Sequence, residues 1–135
     1  MDRLMVDASK TSLVVCVEDD EPVRDALRGL LRANGMKVAA FASAEEFLAS
    51  SELQTAACLV TDIQLGGISG LDLLDKLSGM ARRIPSILIT AHSDVAVGER
   101  ARNSGASRIF LKPVSPTELL EAIRTALASG STSTP

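Results

Sequence analysis

Two kinds of segment alternate along the chain. The first is short and apolar without alternation: Leu13–Val17, 37–42, Ala56–Asp62, 85–90 and 109–111. Unbroken apolar runs of this length predict strands covered on both faces, as in a parallel sheet. The second kind is longer and repeats its apolar residues at helical spacing. Val23, Leu27, Leu30 and Leu31 form one such stripe, Leu73, Leu74 and Leu77 another, and Leu119, Leu120, Ile123 and Leu127 a third. Phe47 and Leu48 mark a shorter helix, and 93–104 a polar and less stable one with Gly98 inside it.

Stop and start signals agree with this division. Pro22 suits a first helical turn, with the acids 18–21 near its positive end. Asn34-Gly35 ends that helix, and Gly105 closes the polar one. Ser43 with Glu46, and Ser115-Pro116-Thr117-Glu118, have the spacing of capping boxes, and Ser69 with Asp72 resembles another cap. Five strands alternating with five helices imply right-handed βαβ units and a parallel sheet, hence a three-layer α/β sandwich. The expected organisation is a loose arm over 1–11, one domain over 12–128 and a disordered polar tail over 129–135. No internal repeat or linker divides the domain.

Composition narrows the function classes. A length of 135 residues with 46% apolar side chains is enough for a proper core. A net charge of −3 provides no basic patch for direct nucleic acid binding. No apolar run reaches membrane-spanning length, and Leu4-Met5-Val6 is too short for a signal peptide, so a cytoplasmic protein is expected. Cys16 and Cys58 sit inside apolar runs without metal-ligand spacing and read as buried thiols. A single histidine, His92, excludes a multi-histidine metal site; it reads as a solvated loop residue at the rim of the strand ends.

The strand ends carry the chemistry. The first strand ends in Glu18 and Asp19, the third in Asp62, the fourth in Thr90 and the fifth in Lys112. In a parallel sheet these ends share one edge, where ligands of open α/β sheets bind. Asp62 alone also reads as a turn or cap aspartate, and Glu18-Asp19 alone as decoration of a helix N-terminus. Together they are three carboxylates that repel one another unless protons or a cation compensate. A hard divalent cation is the natural remedy, and magnesium needs few carboxylates beside water and phosphate oxygens. Lys112 and Thr90 suit phosphoryl oxygens, and a carboxylate so placed can form an aspartyl phosphate. Asp20 and Glu21 read as solvated partners of the helix dipole. The loop Gly66-Gly67-Ile68-Ser69-Gly70 lacks the leading glycine of a dinucleotide-binding fingerprint and follows the third strand.

The stretches Val-Glu-Asp-Asp-Glu-Pro-Val-Arg at 17–24, Cys-Leu-Val-Thr-Asp-Ile-Gln-Leu at 58–65, Ser-Gly-Leu-Asp-Leu-Leu at 69–74, Ile-Pro-Ser-Ile-Leu-Ile-Thr-Ala-His at 84–92 and Phe-Leu-Lys-Pro-Val at 110–114 resemble the receiver domain of two-component response regulators. The resemblance runs from about Ser12 to Leu127. It implies a flavodoxin-like fold with strand order 2-1-3-4-5. It makes Asp62 the phosphoacceptor, gives Mg2+ to Glu18, Asp19, Asp62 and the Gln64 backbone carbonyl, and gives the phosphoryl group to Thr90 and Lys112. It implies a cis Lys112–Pro113 bond. The implied donor is a sensor histidine kinase or phosphotransfer protein. The implied output is a protein target at the face of the fourth helix, fifth strand and fifth helix, with dimerisation on phosphorylation as a further possibility.

This chain departs from the family pattern in three places. Gly66 stands where proline is usual, which leaves the loop freer. Glu18 stands where aspartate is common. Ile109 stands three residues before the lysine, where an aromatic is frequent, and Phe110 falls on the opposite strand face.

Other classes fit less well. A haloacid-dehalogenase-like phosphatase needs a second aspartate two residues after the nucleophile, where this chain has Gln64, and a cap domain. A flavin carrier lacks Trp and Tyr here and has no phosphate loop after the first strand. A degenerate receiver would have lost site residues that are all present. The expectation is an acceptor switch with autophosphatase activity at most, not an enzyme in the ordinary sense. No DNA-binding segment follows Leu127. The alternatives left open are therefore a stand-alone regulator, a phosphate sink or relay intermediate, and a receiver fragment of a longer transcriptional regulator.

Overall fold

The computed structural model describes residues 12–91 and 95–132. The expected arm, His92 and residues 133–135 of the expected tail lie outside the described residues. Strands β1 (Leu13–Val17), β2 (Lys37–Phe41), β3 (Ala56–Asp62), β4 (Ser86–Thr90) and β5 (Arg108–Leu111) alternate with helices α1 (Glu21–Ala33), α2 (Ala44–Leu48), α3 (Gly70–Gly79), α4 (Val95–Arg102) and α5 (Pro116–Thr132). All strand pairs are parallel, in the order β2-β1-β3-β4-β5. This is the flavodoxin-like arrangement that the resemblance implied. α5 continues through Gly130 to Thr132.

The sheet is covered on both faces. On one, Val14, Cys16, Val60 and Ile87 pack with Leu31 of α1 and Leu119, Ile123 and Leu127 of α5. On the other, Val15, Val17, Leu59 and Leu88 pack with Phe47 of α2, Leu73 and Leu77 of α3 and Ala101 of α4. Burial on both sides explains why β1, β3 and β4 read as unbroken apolar runs. Both cysteines are fully buried on the α1/α5 side, and burial first of all pushes their thiols up to about 12.

The α1 stripe is less buried than its spacing predicts. Leu31 is fully buried, but Leu27 and Leu30 are half-buried and Val23 is exposed. Their positions line an open cleft of about 480 Å³ between α1 and the β5–α5 connection, with Pro113, Val114 and Leu119 opposite. β5 splits its residues between the layers: Phe110 is buried with α1 and α5, while Ile109 and Leu111 are exposed. The polar α4 is held by Ala101, its one buried side chain among those described, with Val97 half-buried beside it. Among the described residues, no helix is long and apolar enough to cross a membrane.

Candidate functional site

β1 delivers Glu18 to the carboxyl edge of the sheet. Its N–H donates to the Phe41 carbonyl at 3.0 Å, so the strand's hydrogen bonding runs one residue past Val17. The side chain is buried, and Glu18 Oε2 accepts from the Asp20 N–H at 3.1 Å. Arg24, one turn into α1, donates to the Glu18 carbonyl at 2.8 Å. Asp20 is the N-cap of α1, accepting from the Val23 N–H at 3.1 Å. The first two helical positions, Glu21 and Pro22, follow directly.

β3 delivers Asp62, which is buried in the middle of the sheet. Asp62 Oδ1 accepts from the Gln64 N–H at 2.9 Å. Asp62 Oδ2 accepts from Lys112 Nζ at 2.6 Å, and the same ammonium stands 3.8 Å from Glu18 Oε1. Lys112 is aimed there by β5. Its N–H donates to the Thr90 carbonyl at 2.8 Å, and the following Lys112–Pro113 bond is cis. Thr90 ends β4, buried and in register with Leu111. Asp19 reaches across to the loop after β3, where Asp19 Oδ2 accepts from the Gly66 N–H at 3.3 Å.

Glu18, Asp62 and Lys112 are thus in direct electrostatic contact, and Asp19, Gln64 and Thr90 surround them on adjoining strand ends. Burial raises the Glu18 carboxyl above its ordinary value, against the lowering by the Asp20 N–H and the Lys112 charge, and the Asp62 charge adds to the rise. Burial also works against the Lys112 ammonium. The hydrogen bond and charge of Asp62, with Glu18 and Asp19 beyond, outweigh it and hold the lysine above its usual value. Lys112 here takes the compensating role that three converging carboxylates require.

Among the described residues no three acidic, cysteine or histidine side chains close into a metal cage. What converges is a one-sided set of hard oxygens, open toward solvent at Asp19 and Gln64. That donor set fits an ion such as Mg2+, which uses one or two carboxylates and keeps several waters.

Four residues matter more than the sequence reading indicated. Asp20 is a cap rather than a loose dipole partner; an aspartate three positions before Val23 and just ahead of Pro22 was a usable signal. Arg24 anchors the Glu18 backbone. Gly70 leaves room for the Asp62 carbonyl, and Glu45 on α2 accepts from the Ile68 N–H at 3.1 Å. Neither long-range contact has a signature in local sequence.

A family model for the response regulator receiver domain matches residues 14–124. Nodulation protein W of Bradyrhizobium diazoefficiens is 41% identical over 117 residues, covering 87% of this chain and 52% of that protein. Transcriptional regulatory protein FixJ of Rhizobium meliloti is 41% identical over 110 residues, covering 82% of this chain and 54% of that one. The chain therefore spans about half the length of these curated relatives. Among solved structures, a CheY-like response regulator receiver domain protein from Methanospirillum hungatei matches with a TM-score of 0.82 at 26% identity, over 91% of this chain and 98% of that one.

Proposed function

Because the chain belongs to the response regulator receiver family, we propose that it is a phosphorylation-controlled signalling switch whose acceptor is Asp62. The observation that carries this reading is the contact of Lys112 Nζ with Asp62 Oδ2 at 2.6 Å, beside the buried Glu18. The ammonium fixes one carboxylate oxygen of Asp62 at the sheet edge and sets a positive charge between it and Glu18, where phosphoryl oxygens would arrive.

In the proposed step, a carboxylate oxygen of Asp62 attacks the phosphorus of a phosphohistidine on a sensor kinase or phosphotransfer protein. A P–O bond forms to Asp62 and the P–N bond breaks, its electron pair leaving with the imidazole, which takes up a proton. Lys112 follows the charge from Asp62 to a phosphoryl oxygen, and the Thr90 hydroxyl donates to another. Glu18, Asp19, Asp62 and the Gln64 carbonyl would hold Mg2+. The bound ion would neutralise the carboxylates and the phosphoryl oxygens as they approach one another.

Output is assigned to the face of α4, β5 and α5, where Ile109 and Leu111 are exposed apolar side chains on the edge strand. A protein target or a second phosphorylated copy would read that face. A second reading places the domain in a transcriptional regulator, since FixJ is so named and this chain spans about half of it.

The test of the first reading is direct. The protein is incubated with acetyl phosphate and Mg2+, the adduct is trapped by reduction, and the site is mapped by mass spectrometry. Label at Asp62, lost in Asp62→Asn, is the expected result. Label elsewhere, or none on a folded protein, overturns the assignment.

A further inference from the structure

The loop that leaves Asp62 has glycine at both 66 and 67 and no proline before α3, so its own backbone is weakly constrained. Two carboxylates from other elements hold it. Asp19 Oδ2 accepts from Gly66 N–H at 3.3 Å, and Glu45 Oε2 accepts from Ile68 N–H at 3.1 Å. Gly67 is what lets Glu45 in. Its φ is +87°, and a Cβ there would stand 2.7 Å from Glu45 Oε2.

Glu45 is well anchored for this purpose. It lies in the first turn of α2, whose cap Ser43 accepts from the Glu46 N–H at 3.1 Å while Glu46 Oε1 accepts from the Ala42 N–H at 3.2 Å. Its neighbours Ala44 and, two residues on, Phe47 are fully buried. The two holds on the loop also differ in kind. Asp19 belongs to the proposed ligand set, so a cation that draws on its carboxylate competes with the Gly66 N–H. Glu45 belongs to no ligand set and keeps its grip.

We propose that Glu45 is a positioning residue for the cation site: from α2 it fixes the backbone of 64–68, so that the Gln64 carbonyl stays presented beside Asp62 when Asp19 turns to the metal. The inference rests on the roles proposed above for Asp62, Asp19 and Gln64. A carboxylate accepting from a backbone N–H is a charge-assisted bond. Its value here lies in ordering the donor set before the ion arrives.

The test compares wild type with Glu45→Gln, Glu45→Asp and Glu45→Ala. Glutamine keeps an acceptor oxygen at the same reach without the charge. Aspartate keeps the charge and the helix-dipole interaction but is one methylene short. Amide exchange over 64–68 is measured without metal, and Mg2+ affinity by calorimetry. Glu45→Ala and Glu45→Asp should speed exchange at Ile68 several-fold and weaken Mg2+ about three- to tenfold, the range of one hydrogen bond. Asp62 should still label at saturating Mg2+. Glu45→Gln, which keeps the acceptor and loses the charge assistance, should fall between wild type and Glu45→Ala in both measurements. If Glu45→Gln behaves like Glu45→Ala while Glu45→Asp behaves like wild type, Glu45 acts as a remote charge and the proposal is overturned. Unchanged exchange and affinity in Glu45→Ala overturn it equally. The exchange arm needs neither metal nor phosphodonor. A wild type that never labels at Asp62 therefore counts against the function proposed above, and the loop result still decides Glu45.

Discussion

Gly70 is pressed against Asp62: a Cβ on Gly70 would stand 2.4 Å from the Asp62 carbonyl oxygen and 3.0 Å from Ile63 Cα. The close approach lets the Gly70 N–H donate to the Ile63 carbonyl at 2.9 Å, joining the end of β3 to the start of α3. Any side chain would have to push back the strand end that carries Asp62, the proposed phosphoacceptor. Gly70→Ala should therefore cost about 1–3 kcal/mol, as overpacking of a tight site does, and should slow labelling by acetyl phosphate. Gly29 offers the contrast. It lies within α1, and a Cβ there would meet nothing within 4 Å, so Gly29→Ala should stabilise by about 0.5–1 kcal/mol through helix propensity. Thermal melts of the two variants should move in opposite directions. A Gly70→Ala protein that melts with wild type would contradict the packing described.

Glu18 makes the metal-free protein sensitive to pH. Burial first of all raises its carboxyl above 4.5 in the folded state. Between that ordinary value and the raised one, the folded protein holds a proton that the unfolded chain has lost. Stability contributed by this group is therefore fully present below about pH 4.5 and falls as pH rises through the folded value. Above it, the ionised Glu18 remains a standing cost. With chelator present, Glu18→Gln should melt higher than wild type at pH 7, by a few degrees, and should lose part of the decline above pH 4.5. The same variant should gain less from added Mg2+ than wild type does. A lower melting temperature at pH 7 in chelator would show that the buried charge is better compensated than its surroundings indicate.

The elements that burial decides were legible in the chain. β3 runs from Ala56 to Asp62 as its apolar run predicted, because both faces are covered and no alternation interrupts it. The caps at Ser43, Ser69 and Ser115 all accept the hydrogen bonds their spacing implied, since they depend on residues three apart. The meeting of Glu18, Asp62 and Lys112 followed from parallel strands sharing one edge. Contacts set by tertiary approach were not legible. The 3₁₀ turn Ser51–Gln54 is steadied by Arg82, which donates to the carbonyls of Leu53, Gln54 and Ala56 from 28 or so positions away. Glu45 meets Ile68 across 23 positions through the space left by Gly67. The partial exposure of Val23 and Leu27 arises from the width of the cleft beside α5, which helical spacing does not encode.

Beside the packing of Ala101 and Val97, α4 is tied to α3 by charge. Arg100 Nη2 donates to Asp72 Oδ1 at 2.8 Å and to Asp75 Oδ2 at 2.9 Å. The Arg100 hydrogen bond, followed by that of Ser69, holds the Asp72 carboxyl below its usual 3.8. This pairing is present above 3.8 and is lost as pH falls through the lowered value. All three side chains are well exposed, so salt should screen them. Amide exchange over 97–101 should quicken by about two- to threefold in Arg100→Ala. Wild type in about 1 M salt, where the screening length falls to roughly 3 Å, should respond in the same sense. Arg100→Ala should show no further salt response. A salt response in the variant as large as in wild type would place the hold elsewhere.

The last prediction concerns how a phosphoryl group on Asp62 is felt at the output face. Thr90 pairs with Leu111 and Leu88 with Ile109, so Thr90 and Ile109 belong to the same sheet face, the one covered by α4. Thr90 is buried, whereas Ile109 is 36% exposed at the edge of the sheet. In the family an aromatic side chain at the Ile109 position fills the space that the hydroxyl residue vacates on activation. Ile109 has no ring to swing and no hydroxyl to exchange partners, and its branched Cβ restricts χ1. The aromatic that β5 does carry, Phe110, is committed to the opposite layer under Arg108, whose guanidinium carbon lies 4.6 Å from the ring centre. A signal starting at Thr90 then has α4 as its route, and among its described side chains α4 has only Ala101 buried, with Val97 half-buried, to hold it. Wild type, Thr90→Ala and Ile109→Ala are to be compared by NMR with and without beryllofluoride and Mg2+. Thr90→Ala should remove most of the shift changes over 96–102, and Ile109→Ala should leave them largely in place. If Ile109→Ala removes them as fully as Thr90→Ala, the aliphatic side chain performs the aromatic's role, and the route through α4 alone is wrong.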